Sequence, residues 1–273
     1  VDAWHFRGAA LLELDDLEQA AFCLRKSMSF GDYKGHGSFQ MSRVRLFQGD
    51  LDGALHWCDR AIKADPEEPF LRWHLIGIHK IRGDLQAAIA VGRDLVSKTA
   101  GTPDEVRYRL TLAKLCLLTT ATGEAEEQLQ AALKLDERNP DLWSALGRCF
   151  LQQNKAEDAL KAFRRAAEID FCDPNHLYSI ADACLELGQP DKAIKPLLQV
   201  TQLTDDYRFV HYKLSLSYFS LKKYREAEIS ARAALSGDPE MDFPGSNLGM
   251  AATEDLGLAL LNQGKLEEAE ACL

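Results

Sequence analysis

Between residues 140 and 172 the chain reads PDLWSALGRCFLQQNKAEDALKAFRRAAEIDFC. Apolar residues recur there at the spacing of one helical face. Trp143, Leu146, Phe150 and Leu151 form one set, and Ala159, Leu160, Phe163 and Ala166 form the next. The pattern predicts two amphipathic helices, over about 142–153 and 156–169, joined by a short polar turn. Gly147 and Ala159 are the small residues at which two such helices would approach closely. No stretch shows sustained polar–apolar alternation bounded by hairpin turns, so the expected fold class is all-α.

The second-helix alanine of this unit recurs along the chain as Ala20, Ala54, Ala88, Ala125, Ala159, Ala193, Ala227 and Ala269. Most of these are about 34 residues apart. A short insertion near 101–104 precedes the fourth copy, and a longer one near 240–249, containing Met241 and Phe243, precedes the last. The small residue of the first helix recurs as Gly8, Ser42, Ala113, Gly147, Ala181, Ser215 and Gly257. The third copy departs with Ile76. That bulk should push the two helices apart or be relieved by Gly77 and Gly92, so local irregularity is expected there. Glycine-containing turn signals at 48–50, 82–84, 187–189 and 263–265 mark joints between helices. Prolines 66, 69, 103, 140, 174 and 239 lie between copies, where a helix must stop anyway. Pro190 suits a helix start. Pro196 lies deeper and is expected to bend its helix.

Trp143, Leu146, Gly147, Phe150, Ala159, Phe163 and Ala166 together resemble the tetratricopeptide repeat (TPR) motif. That motif is W-x2-L-G-x2-Y followed by A-x3-F, over about 34 residues. Phe171 stands where the motif closes on proline. The resemblance covers essentially the whole chain. It implies a TPR solenoid, with antiparallel helix pairs stacked in a right-handed superhelix. A single array over 1–273 would hold copies near 1–34, 35–68, 69–102, 106–139, 140–173, 174–207 and 208–241, with a truncated copy at 250–273. The chain starts at Val1 without an initiator methionine and stops at Leu273 inside a second helix, with no capping helix. A fragment of something longer is the expectation.

Composition narrows the function. A compact single core suits 273 residues poorly, whereas a solenoid packs each unit only on its neighbours. No apolar run approaches the roughly 18 residues of a membrane span. The net charge of -10 argues against a general affinity for nucleic acid. Much of the acid lies at 15–18, 124–127 and 267–268, on solvated faces and helix starts where carboxylates are favourable. The seven cysteines include no CxxC pair. Cys58, Cys116 and Cys184 occupy apolar motif positions and Cys149 lies beside one, as small buried hydrophobes would. This suits a reducing compartment, the cytoplasm.

No phosphate-binding loop, zinc-protease motif or Cys/His cluster is present, so neither catalysis, cofactor nor metal is expected. His74 and His79 share a helix but diverge by about 140° of arc. His79 takes the aromatic position of its copy, as a packed histidine. Arg45 takes the equivalent place one copy earlier, as a snorkelling or hydrogen-bonded departure.

The resemblance also implies that first helices line an inner groove, exposing the second, fifth, ninth and twelfth positions of each copy. Those positions share one helical face. They place Arg43, Lys80, Arg107, Lys114 and Arg148 along a basic stripe, with Phe39, Phe70 and Trp73 between. Tyr178 and Tyr212 continue it on a more aromatic and neutral second half. Arginine with aromatic anchors is what binding hot spots are enriched in, and a local field opposite to the overall charge suggests an acidic ligand. The alternative stays open: an aromatic at the fifth position ordinarily packs on the next helix, and basic residues on a helix face are commonly just solvated. The family's two-carboxylate clamp for chaperone C-termini is not matched. Arg148, Ser179 and Lys213 come nearest, without the two asparagines. The inner asparagine ladder of the sugar-transferase members is absent too. The leading reading is a non-enzymatic scaffold that binds a protein or peptide segment, acidic in character, in the groove. A second is a recruiting arm of a larger enzyme or assembly. A third is self-association through uncapped ends.

Overall fold

The computed structural model describes residues 2–29, 34–203, 208–236 and 248–272. Among the described residues there are sixteen helices and no strand. The chain divides into two compact units, 1–135 and 136–273. The first contains α1 (Asp2–Glu13), α2 (Leu17–Ser29), α3 (Lys34–Phe47), α4 (Leu51–Ala64), α5 (Pro69–Arg82), α6 (Leu85–Lys98), α7 (Glu105–Leu118) and α8 (Thr122–Leu135). The second contains α9 (Pro140–Gln152), α10 (Ala156–Ile169), α11 (Pro174–Glu186), α12 (Pro190–Leu203), α13 (Arg208–Ser220), α14 (Tyr224–Leu235), α15 (Leu248–Asn262) and α16 (Leu266–Cys272). Within each unit every helix packs against the next. The helices predicted over 142–153 and 156–169 are α9 and α10. The first begins earlier because the Asn139 side chain accepts the Asp141 N–H at 3.1 Å and Pro140 sits where its missing N–H costs nothing.

The repeating alanines are the tightest points of the packing. Seven have no exposed surface and Ala269 has 1%. Their first-helix partners are small for a steric reason. A Cβ placed on Gly147 would fall 2.5 Å from Phe163 Cε1, and one on Gly8 would fall 2.8 Å from Leu24 Cγ. Where serine occupies the position, its hydroxyl is used across the crossing. Ser42 donates to the Ala54 carbonyl at 2.7 Å, and Ser215 donates to the Ala227 carbonyl at 3.1 Å. Around these points lies a core shared between helices, such as Phe163, Ile180, Cys184, Leu197, Val210 and Leu214 across α10–α13.

The expected irregularity at Ile76 is absent. Ile76 is buried, and both α5 and α6 run unbroken for 14 residues. The opposing second helix presents Gly92, whose missing side chain leaves room beside Ile76 Cδ1 and Leu112 Cδ1. Gly77 plays no part, since a Cβ there would meet nothing within 4 Å. Pro196 is accommodated inside α12 without breaking it. Arg45 is the hydrogen-bonded departure anticipated: its guanidinium donates to Gln48 Oε1 at 3.2 Å and faces Asp50 at 3.6 Å. The insertion near 101–104 folds onto the start of α7, where Glu105 Oε2 accepts the Gly101 N–H at 2.6 Å. The residues Met241 to Ser246 of the later insertion lie outside the described residues.

Every turn inside a helix pair places one residue in the left-handed region. Gly49, Gly83, Gly188 and Gly264 do so without penalty, and Asp15, Thr120, Asn154 and Lys222 do so with positive φ of 57–62°. Thr120 is β-branched and therefore the least suited.

Two stability predictions of opposite sign follow from this packing. Ala159→Leu overpacks a closed crossing and should cost about 1–3 kcal/mol. Thr120→Gly removes left-handed strain, less the added chain entropy of glycine, and should stabilise by about 0.5–1 kcal/mol. Urea denaturation of both variants beside wild type checks the two signs. An unchanged midpoint for Ala159→Leu would mean the repeat register is misassigned.

Candidate functional site

In the first unit, α3, α5 and α7 carry most of the predicted stripe. Aromatic rings link these helices. Phe39 on α3 meets Phe70 on α5 edge-on at 5.1 Å and His74 at 5.0 Å between centroids. His36 stands 6.0 Å from Phe39 and 4.8 Å from His5 on α1, so the seam reaches the first helix. Trp73 on α5 lies under the Arg107 guanidinium of α7 at 4.8 Å, a cation–π contact. Phe39 is half-buried, whereas Phe70 and Trp73 are 37% and 43% exposed, so two large apolar rings remain open to a ligand.

The basic residues are not equivalent. Arg43 donates to Glu13 Oε1 at 2.9 Å and to Gln40 Oε1 at 3.1 Å, so part of its charge is already engaged. Lys80, Arg107 and Lys114 are exposed and have no carboxylate within ion-pair distance among the described residues. Arg107 is also oriented by the Trp73 ring. Arg148 is exposed and unpaired in the same sense, but it belongs to the second unit.

His74 sits beside this face with a defined tautomer. The Ser42 hydroxyl gives its proton to the Ala54 carbonyl, so the 3.1 Å contact to His74 Nε2 requires Nε2–H to donate to Ser42 Oγ. Burial, and then the Arg43 charge, pull the His74 imidazole down to about 4. It is therefore neutral at pH 7 and adds no charge to the stripe. Position six of each copy is absent from the predicted set, and the ring contacts of His74 are what bring it in.

The corresponding face of the second unit is more nearly neutral. Tyr178 on α11 lies near an ion pair between Asp182 and Lys213 on α13, 2.6 Å apart. Burial pulls the Lys213 ammonium down, but the bond to Asp182 outweighs it and holds the group above the usual lysine value. Tyr178 and Tyr212 are half-buried, and burial raises both phenols. Asp255 on α15 is pushed up to about 6, by burial and then by Glu254, and its Oδ2 is buried with no hydrogen-bond partner. Neither unit assembles a nucleophile with a base among the described residues. Cys58 and Cys116 are buried thiols pushed up to about 12, burial being the main cause, and are poor nucleophiles.

One cluster was not singled out from the sequence. Asp170, Asp173 and His176 converge at the joint between α10 and α11. Their spacing of three residues is the signal that could have found them, but it is commonplace around a helix start.

The tetratricopeptide repeat family model matches residues 39–105, 122–175 and 212–273, and a second model of that description matches 1–30. The chain belongs to the tetratricopeptide repeat family. Among similar proteins, Superkiller protein 3 of Schizosaccharomyces pombe is 29% identical over 106 residues, covering 38% of this chain and 8% of that protein. DnaJ homolog subfamily C member 3 of Mus musculus is 26% identical over 216 residues, covering 74% and 42%. The chain thus spans less than half the length of these curated relatives. Of the solved structures, a tetratricopeptide repeat protein from Parabacteroides merdae has a TM-score of 0.69 at 13% identity, covering 95% of this chain and 98% of that one. A chain of the APC/C hetero-tetramer Cut9–Hcn1 has a TM-score of 0.64 at 18% identity, covering 95% and 49%. At such identities the structures bear on the fold alone. A tetratricopeptide array of this kind is a protein–protein interaction scaffold. No described helix is long and apolar enough to cross a membrane.

The depressed His74 value gives a pH prediction. A folded value of about 4 lies below the ordinary 6.5, so the unfolded chain binds the proton more readily. Stability from this group is complete above about pH 6.5 and is lost as pH falls towards 4. His74→Phe should flatten the dependence of melting temperature on pH in that window. An undiminished slope in the variant would refute the assignment.

Proposed function

We propose that the first unit binds an acidic segment of a partner protein, extended or helical, across the exposed face of α3, α5 and α7. The observation that carries this reading is the set of unpaired cations Lys80, Arg107 and Lys114, beside the open rings of Phe70 and Trp73, in a chain of net charge -10. Such a patch attracts acidic segments over the repulsion of the rest of the surface. The rings supply apolar anchorage. Arg107 is held over Trp73 before any ligand arrives, so less side-chain freedom is lost when it meets a carboxylate. Arg43, already bonded to Glu13, serves to order the face more than to read the ligand. The second unit, taken by itself, offers a weaker and more neutral set in Arg148, Tyr178 and Tyr212 for the same class of partner. The chain acts by binding and not by catalysis. Its setting in this reading is a reducing compartment, the cytoplasm: five of its seven cysteines are buried, and none forms a disulfide. A partner of this chemistry is not a nucleic acid, whose recognition would need a broader cationic surface.

A second reading, a recruiting arm within a larger assembly, is favoured by the lengths of the similar proteins. The matched repeats make up 8% of one and 42% of another. Both readings use the same face and differ in what is joined to it.

The test is fluorescence anisotropy with labelled peptides rich in Asp and Glu around one Leu or Phe, beside peptides with the charges reversed. Wild type should bind the acidic peptides alone, more weakly as salt rises. Lys80→Glu/Arg107→Glu/Lys114→Glu should lose at least about tenfold, and Trp73→Ala about 2 kcal/mol, with circular dichroism unchanged. Equal binding of both peptide classes, or no loss in the triple variant, would show the cations to be a solvated face.

A further inference from the structure

We propose that the joint between α10 and α11 is a binding site for a zinc-like divalent metal ion, held by Asp170, Asp173 and His176. The site shares no residue with the proposed peptide-binding face and lies wholly within the second unit.

The decisive residue is His176, in the first turn of α11. Its side chain is 3% exposed, and neither Nδ1 nor Nε2 has a hydrogen-bond partner. Leaving both nitrogens of an imidazole buried and unsatisfied is costly, and native structures seldom do so without a reason. Nε2 faces Asp173 Oδ2 at 3.6 Å, too far for a hydrogen bond.

The two carboxylates are each half committed. Asp173 is the N-cap of α11, and its Oδ1 accepts the Asn175 backbone N–H and side-chain amide, both at 2.8 Å. Asp170 is the C-cap of α10, and its Oδ1 accepts the Cys172 N–H at 3.2 Å. Each therefore keeps an oxygen without a hydrogen bond among the described residues. These bonds also fix the backbone, so the two carboxylates and the ring are presented by a preformed turn. One donor atom from each residue lies within 4.8 Å of the other two. A tetrahedral site with bonds of about 2.0–2.1 Å spaces its donors by about 3.3 Å, and small rotations of the half-exposed carboxylates close that gap. Three protein donors leave a fourth position for water.

The donor set selects the ion. Calcium and magnesium take shells of oxygen. An imidazole nitrogen with two carboxylate oxygens suits zinc and its neighbours in the first transition row. Two carboxylates also balance the charge of a divalent cation. The consequence is mechanical. Asp170 ends one helix pair and Asp173 starts the next, so an ion bonded to both fixes the joint between consecutive repeats. Because the unfolded chain lacks the arrangement, binding stabilises the folded state by mass action.

The experiment uses the full chain, chelator-treated and kept under reductant, titrated with Zn2+ in a calorimeter and with Co2+ in a spectrophotometer. One saturable equivalent is expected, with visible Co2+ bands and no near-ultraviolet thiolate band, together with a rise in melting temperature on adding Zn2+. His176→Gln should weaken binding by more than about 100-fold, beyond what loss of an outer-shell partner costs. Asp170→Asn/Asp173→Asn should abolish both binding and the thermal shift. Asparagine caps a helix as well as aspartate, so that variant keeps the turn and controls for folding. Cys172→Ser should change nothing. The proposal is overturned if no saturable equivalent appears, if His176→Gln binds as wild type, or if a thiolate band disappears with Cys172→Ser.

Discussion

The separation between paired helices is the constraint on which the rest of this molecule depends. At each crossing the second helix contributes a buried alanine and the first contributes, with one exception, a glycine, serine or alanine. A methyl group more at Gly147 would occupy the Phe163 ring. Alanine carries no helix-propensity penalty, so the chain keeps its helices strong where it needs them thin. Where serine is used, the hydroxyl cannot be left unbonded at zero exposure, and the backbone carbonyl of the alanine itself satisfies it. With the separation set, each pair presents a fixed side of its first helix, and the register along that helix decides which residues can meet a ligand.

Much of this was legible from periodicity. A residue buried at every copy leaves a mark in the sequence because any larger side chain is excluded. The turns were only half legible. Gly49, Gly83, Gly188 and Gly264 announce a left-handed backbone and Asp15 and Asn154 tolerate it, but Thr120 and Lys222 adopt it because the helices on either side demand it. At Thr120 and Lys222 local preference is overruled by packing, and no local signal records the outcome. Ile76 misled for a related reason: a bulky residue at a tight position reads as a defect until the glycine opposite is seen.

The candidate face was legible as a set of positions and not as a distribution of charge. Helical register named Arg43, Lys80, Arg107 and Lys114, but whether a cation is free depends on partners remote in sequence. Glu13, which engages Arg43, is 30 residues away and belongs to no motif position considered. Lys213 is likewise cancelled by Asp182 on another helix. Exposed rings were easier to foresee, since the apolar surface of Trp73 and Phe70 is not cancelled by a remote charge. The acidic joint with His176 was illegible, because what distinguishes it is burial without satisfaction, a property of three dimensions.

Ile76 and Gly92 share one volume across a helix pair, and that has a corollary for substitution. Each change alone has a cost: shortening the first opens a void, while adding bulk to the second presses on Leu112 Cδ1, 3.1 Å from the added Cβ. Changed together, with the first made small and the second large, they would match the pairing of Gly8 with Leu24 and of Gly147 with Phe163. The two sites are thus coupled, and the effect of changing either depends on which residue stands at the other.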